Sequence, residues 1–124
     1  MKRYIDGFVL PVPKQRLSQY QAIAEAAAKI WKEHGALEYW ECVGDDLNTE
    51  CTRSFADMTN ANDDETVIFA WAVFESRQAR DAANEKIIAD PRMAELMTVL
   101  TNPENPLIDF QRMAHGGFKE IVRE

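Results

Sequence analysis

The segment 66–75, TVIFAWAVFE, constrains the fold of this 124-residue chain more than any other. Its eight inner residues are all apolar, so a β-strand over this segment has no polar face. By alternation, its two faces carry Val67, Phe69, Trp71 and Val73 on one side, and Ile68, Ala70, Ala72 and Phe74 on the other. An antiparallel sheet with one face in water normally alternates apolar and polar residues. We therefore expect this strand at the centre of a sheet that is covered on both faces.

The segments around this strand predict the element order β-α-β-β-α-β. Apolar residues recur at helical spacing over 13–34, and Ser76 is placed to cap a second helix over 77–89. Asp90 and Pro91 begin a further short helix to residue 100. The predicted strands are 4–10, 37–43, 66–75 and 110–118. This order is typical of a single ferredoxin-like α+β domain over residues 1–124, with an antiparallel sheet and its helices on one face.

The segment EHGALEYWECVGDD concentrates groups that bind metals, but its pattern indicates a structural role. His34 falls in the last turn of the first helix, and Gly35 follows where a left-handed cap favours glycine. From residue 37 onwards the side chains alternate, which sends Glu38 and Glu41 to opposite faces of a strand. The acids therefore do not converge, and we expect no metal site.

The connection 48–65 is long, polar and without clear periodicity. Its stretch TNANDDE resembles a calcium-binding loop, but Glu65 stands where such a loop requires glycine. Long connections in compact domains are often lids or flaps. We expect a mobile flap near the mouth of a cavity.

Composition excludes several classes of function. The net charge of −7 disfavours nucleic-acid binding, which depends on Lys and Arg side chains that neutralise phosphates. No apolar run approaches the roughly 20 residues of a membrane-spanning helix, and Asp6 interrupts any signal-peptide core. Cys42 and Cys51 make no disulfide framework and are expected to stay reduced. These features predict a cytoplasmic protein without nucleic-acid or membrane partners.

The small residues suggest which face of the sheet meets the helices. Gly7, Ala70, Ala72 and Ala114 fit beneath closely packed helices, and the remaining face would expose Phe8, Phe69, Trp71 and Met113. An apolar patch of that size is seldom left in water. A second copy of the chain is the simplest cover, so the sequence predicts a homodimer through this sheet face.

Five stretches of the chain resemble the characteristic segments of one bacterial family of unknown function, the YbaA-like family: YIDGFVLPVPK, HGALEYWECVGDD, DETVIFAWAVFESR, ADPRM and RMAHGGFK. The resemblance extends over nearly the whole chain. It implies a dimeric α+β barrel, the architecture of antibiotic-biosynthesis-type monooxygenases. It implies neither an activity nor catalytic residues.

Common catalytic motifs are absent, so the candidate site comes from side-chain alternation alone. Alternation predicts that one sheet face, the lining of the barrel, carries Tyr4, Asp6, Phe8, Trp71, Gln111, Met113 and His115. Asp6 and His115 are the candidate catalytic pair, a carboxylate that orients an imidazole base. The candidate ligand-binding residues are Tyr4, Phe8, Phe69, Trp71 and Met113. The structural alternative is that the polar pair satisfies itself and that the aromatic residues are core.

This order of elements occurs in proteins with three kinds of function, which the sequence weighs differently. The first is a homodimer that binds a small organic molecule in its barrel cavity. The second is a monooxygenase or isomerase that uses Asp6 and His115 as an acid–base pair and needs no cofactor. The third, an RNA-binding sheet, fails on charge and on the absence of a glycine-aromatic motif in 66–75. We expect neither a cofactor nor a metal.

Overall fold

The computed structural model describes residues 2–124 and has the predicted order of elements. Its helices and strands are β1 (Tyr4–Pro13), a single 3-10 turn (Lys14–Arg16), α1 (Leu17–Glu33), β2 (Glu38–Val43), α2 (Phe55–Thr59), β3 (Glu65–Phe74), α3 (Arg77–Ala89), α4 (Pro91–Leu100) and β4 (Ala114–Lys119). None of the helices in the described part of the chain has both the length and the apolarity that crossing a membrane requires.

The four strands form one antiparallel sheet in the order β2-β3-β1-β4. The predicted ferredoxin-like α+β fold is thereby confirmed, and β3 is an inner strand paired on both sides. Helices α1, α3 and α4 cover one face of the sheet, which we call the helix face. We call the opposite side the open face.

Helices α3 and α4 begin at the capping residues that the sequence predicts. The Ser76 hydroxyl accepts a hydrogen bond from the Ala79 backbone N–H, and the Asp90 carboxylate accepts one from the Arg92 N–H. Gly35 has a φ of 125°, a left-handed conformation that favours glycine. His34 Nε2 lies 2.8 Å from Asp90 Oδ2 and thus joins the end of α1 to the start of α4.

The core lies between the helix face and the helices in two clusters. The larger cluster consists of Leu10, Val12, Tyr20, Ile68, Ala70, Leu100, Leu107 and Ile108. The smaller cluster consists of Ala36, Ala72, Phe74, Ala83 and Ile87. Burying a large apolar side chain stabilises the fold by about 1.5–3 kcal/mol, so Phe74 and Leu107, both fully buried, anchor the two clusters.

The connection 48–65 is not irregular throughout. It contains α2, which Ser54 caps by accepting a hydrogen bond from the Asp57 N–H. The Phe55 ring stacks on Phe69 with centroids 6.1 Å apart, so α2 covers one end of the open face. The expected mobility of this connection stays a prediction, but its expected lack of periodic structure is wrong for α2.

The alternation predicted for β1 and β4 is inverted relative to β3. Asp6 pairs directly with Ala72 and Phe8 with Ala70, and residues that pair across strands share a face. Tyr4, Asp6, Phe8 and His115 therefore lie on the helix face instead of the open face. Gly7 lies on the open face instead, between Trp71 of β3 and Gly116 of β4.

The small residues of β1 and β4 make room for rings on the open face. A Cβ at Gly7 would lie 3.3 Å from the Phe118 ring, and Gly7 pairs with Gly116 on its other side. The expectation that Gly7 and Ala114 lie beneath helices is thus wrong, whereas it holds for Ala70 and Ala72.

Candidate functional site

The predicted site residues lie in three separate places. Tyr4, Asp6 and His115 lie on the helix face near α3. Phe8 and Met113 line a cavity between the helices and the sheet. Phe69 and Trp71 lie on the open face, where their ring centroids are 5.2 Å apart. The structure therefore divides the predicted ligand-binding set between the two sides of the sheet.

Asp6 is completely buried and forms an ion pair with α3. Its Oδ1 accepts a hydrogen bond of 2.5 Å from Arg80 Nη1. The Arg80 guanidinium also donates to Asp81 and lies 4.8 Å above the centre of the Tyr4 ring. Gly117 permits this arrangement, because a Cβ there would lie 2.4 Å from the Tyr4 hydroxyl oxygen and 2.7 Å from Arg80 Nη1.

His115 lies beside this ion pair but forms no hydrogen bond with Asp6. Its Nε2 is 4.0 Å from Asp6 Oδ2, which is longer than a hydrogen bond. Among residues 2–124, no group donates a hydrogen bond to this buried Oδ2. The imidazole stacks flat on the Phe8 ring, with centroids 4.4 Å apart and an angle of 2° between the planes. Its side chain is 46% exposed, so His115 is accessible from solvent while Asp6 is not.

An apolar cavity of about 160 Å³ lies between the helix face, α1 and α4. Rings and thioethers dominate its lining, with Phe8, Tyr20, Trp31, Tyr39, Phe110, Met93, Met97 and Met113. The Phe8 and Trp31 rings meet edge to face at 5.9 Å. Dry cavities of about 150 Å³ accept a molecule the size of benzene. This cavity therefore has room for a single aromatic ring.

A second concavity, an open groove of about 420 Å³, runs between α1 and the edge strand β2. It shares four lining residues with the apolar cavity, namely Tyr20, Ala24, Tyr39 and Glu41. These four residues form the boundary between the groove and the cavity. A ligand whose ring fills the cavity would place its head group against this boundary.

Glu41 is held at the boundary by two phenols. Its Oε1 accepts a hydrogen bond of 2.5 Å from the Tyr20 hydroxyl, and its Oε2 accepts one of 2.6 Å from the Tyr39 hydroxyl. Burial, and then the charge of Glu41 and the hydrogen bond to it, raise the pKa of each phenol well above its ordinary value of 10. Both phenols therefore remain protonated donors at physiological pH.

Sequence reasoning placed Glu41 correctly on the face of Tyr39 and Val43, but it did not select Glu41 as a site residue. The available signal was a single carboxylate among the inward-facing positions of an otherwise apolar and aromatic strand face. Tyr20 is one of the residues that recur at helical spacing in α1, and nothing in that spacing shows that its hydroxyl reaches β2. The pairing is a tertiary contact between residues 21 positions apart.

The raised pKa values of Tyr20 and Tyr39 predict a loss of stability at alkaline pH. The folded state keeps two protons that the unfolded chain releases above pH about 10, so this contribution is complete below that pH and declines above it. In a titration followed by tyrosinate absorbance and circular dichroism, these two phenols should ionise together with unfolding. Tyr20→Phe and Tyr39→Phe should each remove one such phenol. Ionisation of either phenol well before unfolding would contradict this assignment.

Comparison with known proteins places the chain in a family. A family described as "Protein of unknown function (DUF1428)" matches residues 3–106. The Escherichia coli K12 protein described as "Uncharacterized protein YbaA" is 38% identical over 122 residues, which cover 98% of this chain and 99% of that protein.

Solved structures show the same fold at low sequence identity. SnoaB of Streptomyces nogalater, described as a cofactor-independent oxygenase, superposes with a TM-score of 0.60 at 15% identity, covering 97% of this chain and 95% of SnoaB. A protein from an uncultured marine organism, described as dimeric and ferredoxin-like, has a TM-score of 0.59 at 8% identity and full coverage of both chains. The fold is therefore shared with such proteins, and the chain belongs to the DUF1428 family and is a relative of YbaA.

Proposed function

We propose that this protein is a homodimer that binds a small aromatic molecule in the cavity between its helices and its sheet. The observation that carries the proposal is the cavity itself, with its lining of rings and methionine side chains. Ligand sites are typically concave and mostly apolar, with a few polar groups that fix orientation. Glu41 at the boundary with the groove is such a polar group.

The open face supports the homodimer. Its rings form a continuous row, in which Trp40 stacks on Trp71 at 5.6 Å and Trp71 adjoins Phe69 at 5.2 Å. Trp40, Phe69 and Phe118 are 50%, 47% and 60% exposed, respectively. A row of partly exposed rings on one sheet favours burial against a partner, and a self-complementary two-fold contact is the commonest form. A structural neighbour is described as dimeric, which also supports self-association.

The helix side of the sheet is the better place for the ligand than the space between two sheets. The cavity on the helix side is already formed within one chain. In a dimer through the open face, the rings of Trp40, Trp71, Phe69 and Phe118 would occupy the space between the sheets. Phe8 and Met113 from the predicted ligand-binding set therefore remain candidates on the helix side, together with Trp31, Met93 and Met97.

Phe69→Glu should separate the dimer. A carboxylate on the buried face of each subunit would be desolvated without a partner charge, which is strongly unfavourable. Sedimentation equilibrium at micromolar concentration should give twice the chain mass for the native protein and the single chain mass for the variant. Ile88→Glu is the matched control, because Ile88 is an exposed apolar residue of α3 that lies away from the open face. A monomeric native protein would contradict the proposal.

Benzyl alcohol, a neutral single-ring molecule, should bind on the helix side. With ¹³C-labelled methionine methyl groups, the resonances of Met93, Met97 and Met113 should shift, while that of Met58 on α2 should not. Ala24→Leu narrows the cavity and should weaken binding, whereas Ala22→Leu, on the exposed side of the same helix, should not. Shifts confined to Met58 would place the ligand between the sheets and contradict the proposed location.

A second candidate function follows from the unpartnered Asp6 Oδ2. This buried oxygen faces His115 Nε2 at 4.0 Å, and His115 stacks on Phe8, a residue that lines the cavity. A small tightening of this contact would make Asp6 the carboxylate that orients an imidazole base. Such a base abstracts a proton from an acidic C–H group, as an isomerase or a cofactor-independent oxygenase requires. The fold shared with SnoaB is compatible with this candidate.

Phenylacetone tests this candidate, because it joins a single ring to a C–H group made acidic by a carbonyl. If His115 is the base, the protein should accelerate exchange of the benzylic protons with D₂O, as followed by NMR. His115→Phe keeps the stacking on Phe8 and should abolish the acceleration. Asp6→Asn should reduce it. Glu85→Gln, which removes an exposed carboxylate of α3 outside the cavity lining, should leave it in place. Unaccelerated exchange with the native protein contradicts the candidate.

A further inference from the structure

We infer that Glu41 recognises a cation, and that the ligand is a small aromatic amine whose ring fills the cavity while its ammonium group meets Glu41. This inference rests on the proposed ligand cavity and specifies the chemical class of its occupant. It begins from the distribution of charge among the acids that are shielded from solvent.

Every other shielded carboxylate in the described part of the chain faces an arginine. The pairs are Asp6 with Arg80, Glu65 with Arg112, Asp90 with Arg92, and Glu120 with Arg123. Glu41 is the exception, since no Lys, Arg or His of residues 2–124 forms an ion pair with it. Its contacts are two neutral phenols. The fold thus supplies hydrogen bonds to this carboxylate but no compensating charge.

The two phenols leave acceptor capacity on the carboxylate. An ionised carboxylate has about four acceptor positions, and each Glu41 oxygen uses one of them for a tyrosine. An ammonium group brings three donors and the missing positive charge. A partly desolvated carboxylate gains more from such a partner than an exposed one does, because water screens the attraction less.

The surroundings of Glu41 suit a cation that carries an aromatic body. The Tyr39 hydroxyl donates to the carboxylate, and the Tyr39 ring centroid lies 5.6 Å from that of Trp31 in the cavity lining. Electron-rich ring faces attract ammonium groups. Beyond them the cavity is apolar and has room for one ring. The net charge of −7 further favours the approach of cations and disfavours anions.

Three single-ring molecules of similar size separate the contributions of ring and charge: benzylamine, benzyl alcohol and phenylacetate. We expect benzylamine to bind at least about tenfold more tightly than benzyl alcohol at neutral pH, which corresponds to one hydrogen bond to a charged group. Phenylacetate should bind most weakly. N-acetylbenzylamine keeps an N–H group but lacks the charge, and it should lose the advantage. Dissociation constants come from titration of the Met93, Met97 and Met113 methyl resonances.

Variants then assign the preference to Glu41. Glu41→Gln should abolish the advantage of benzylamine over benzyl alcohol while benzyl alcohol still binds. Glu85→Gln removes an exposed carboxylate of α3 and is the matched control, in which the preference should persist. Should Glu41→Gln not fold, nuclear Overhauser contacts from the benzylamine methylene to the Tyr20 and Tyr39 rings of the native protein should locate the ammonium end instead.

The outcomes distinguish this inference from the proposed function. Equal binding of benzylamine and benzyl alcohol would overturn the inference and leave the cavity proposal standing, with Glu41 as a structural acceptor for two phenols. Tighter binding of phenylacetate, or methylene contacts away from Tyr20 and Tyr39, would also overturn it. If none of the three molecules moves the methionine resonances, the proposed cavity function is wrong, and the inference is wrong with it.

Discussion

The register between β1 and β3 decides which side chains meet the helices and which meet the open face. Gly7 lies opposite Trp71, and Phe8 lies opposite Ala70. In this strand pair, these two rings thus each have a small residue opposite them. A shift of one residue would move every side chain of β1 to the other face, which would bring Asp6 to the open face and away from Arg80. The cavity wall, the buried ion pair and the open face all depend on this single pairing.

The central strand and the helices could be predicted from the sequence because their signals are local. The unbroken apolar run of β3 and the capping residues Ser76 and Asp90 act within a few positions of themselves. The faces of β1 and β4 could not be predicted, because glycine and alanine fit equally well beneath a helix or beside a ring. Alternation within a strand is visible in the sequence, but its phase relative to the next strand is a tertiary property. The same holds for the site, because alternation predicts Asp6, Phe8 and His115 on the face of Trp71, whereas the strand pairing puts them on the helix face.

The sheet separates the proposed ligand cavity on its helix face from the row of rings on its open face. Successive residues of β3 alternate between these two faces. Trp71 contributes to the row of rings on the open face, while its neighbours Ala70 and Ala72 lie beneath the helices. Small residues on the helix face allow rings from β1 and α1 to approach the sheet and define the cavity. Assembly through the open face would therefore leave the proposed ligand cavity intact within each subunit. Dimerisation and ligand binding are then separable properties, which variants on opposite sides of the sheet can address independently.

Two carboxylates of the helix face, Asp6 and Glu41, differ in how their charge is balanced. Asp6 is completely buried, and Arg80 compensates its charge from within the chain, with Tyr4 beneath the guanidinium. Removing one partner of such a buried pair lowers the free energy of unfolding by about 3–5 kcal/mol, so the fold needs this pair for its stability. Glu41 retains access to the groove and has phenols in place of a cation. Because water can still reach the Glu41 carboxylate, the chain can fold without an internal counter-charge beside it. Its charge is therefore available to a ligand, whereas that of Asp6 is already committed to Arg80.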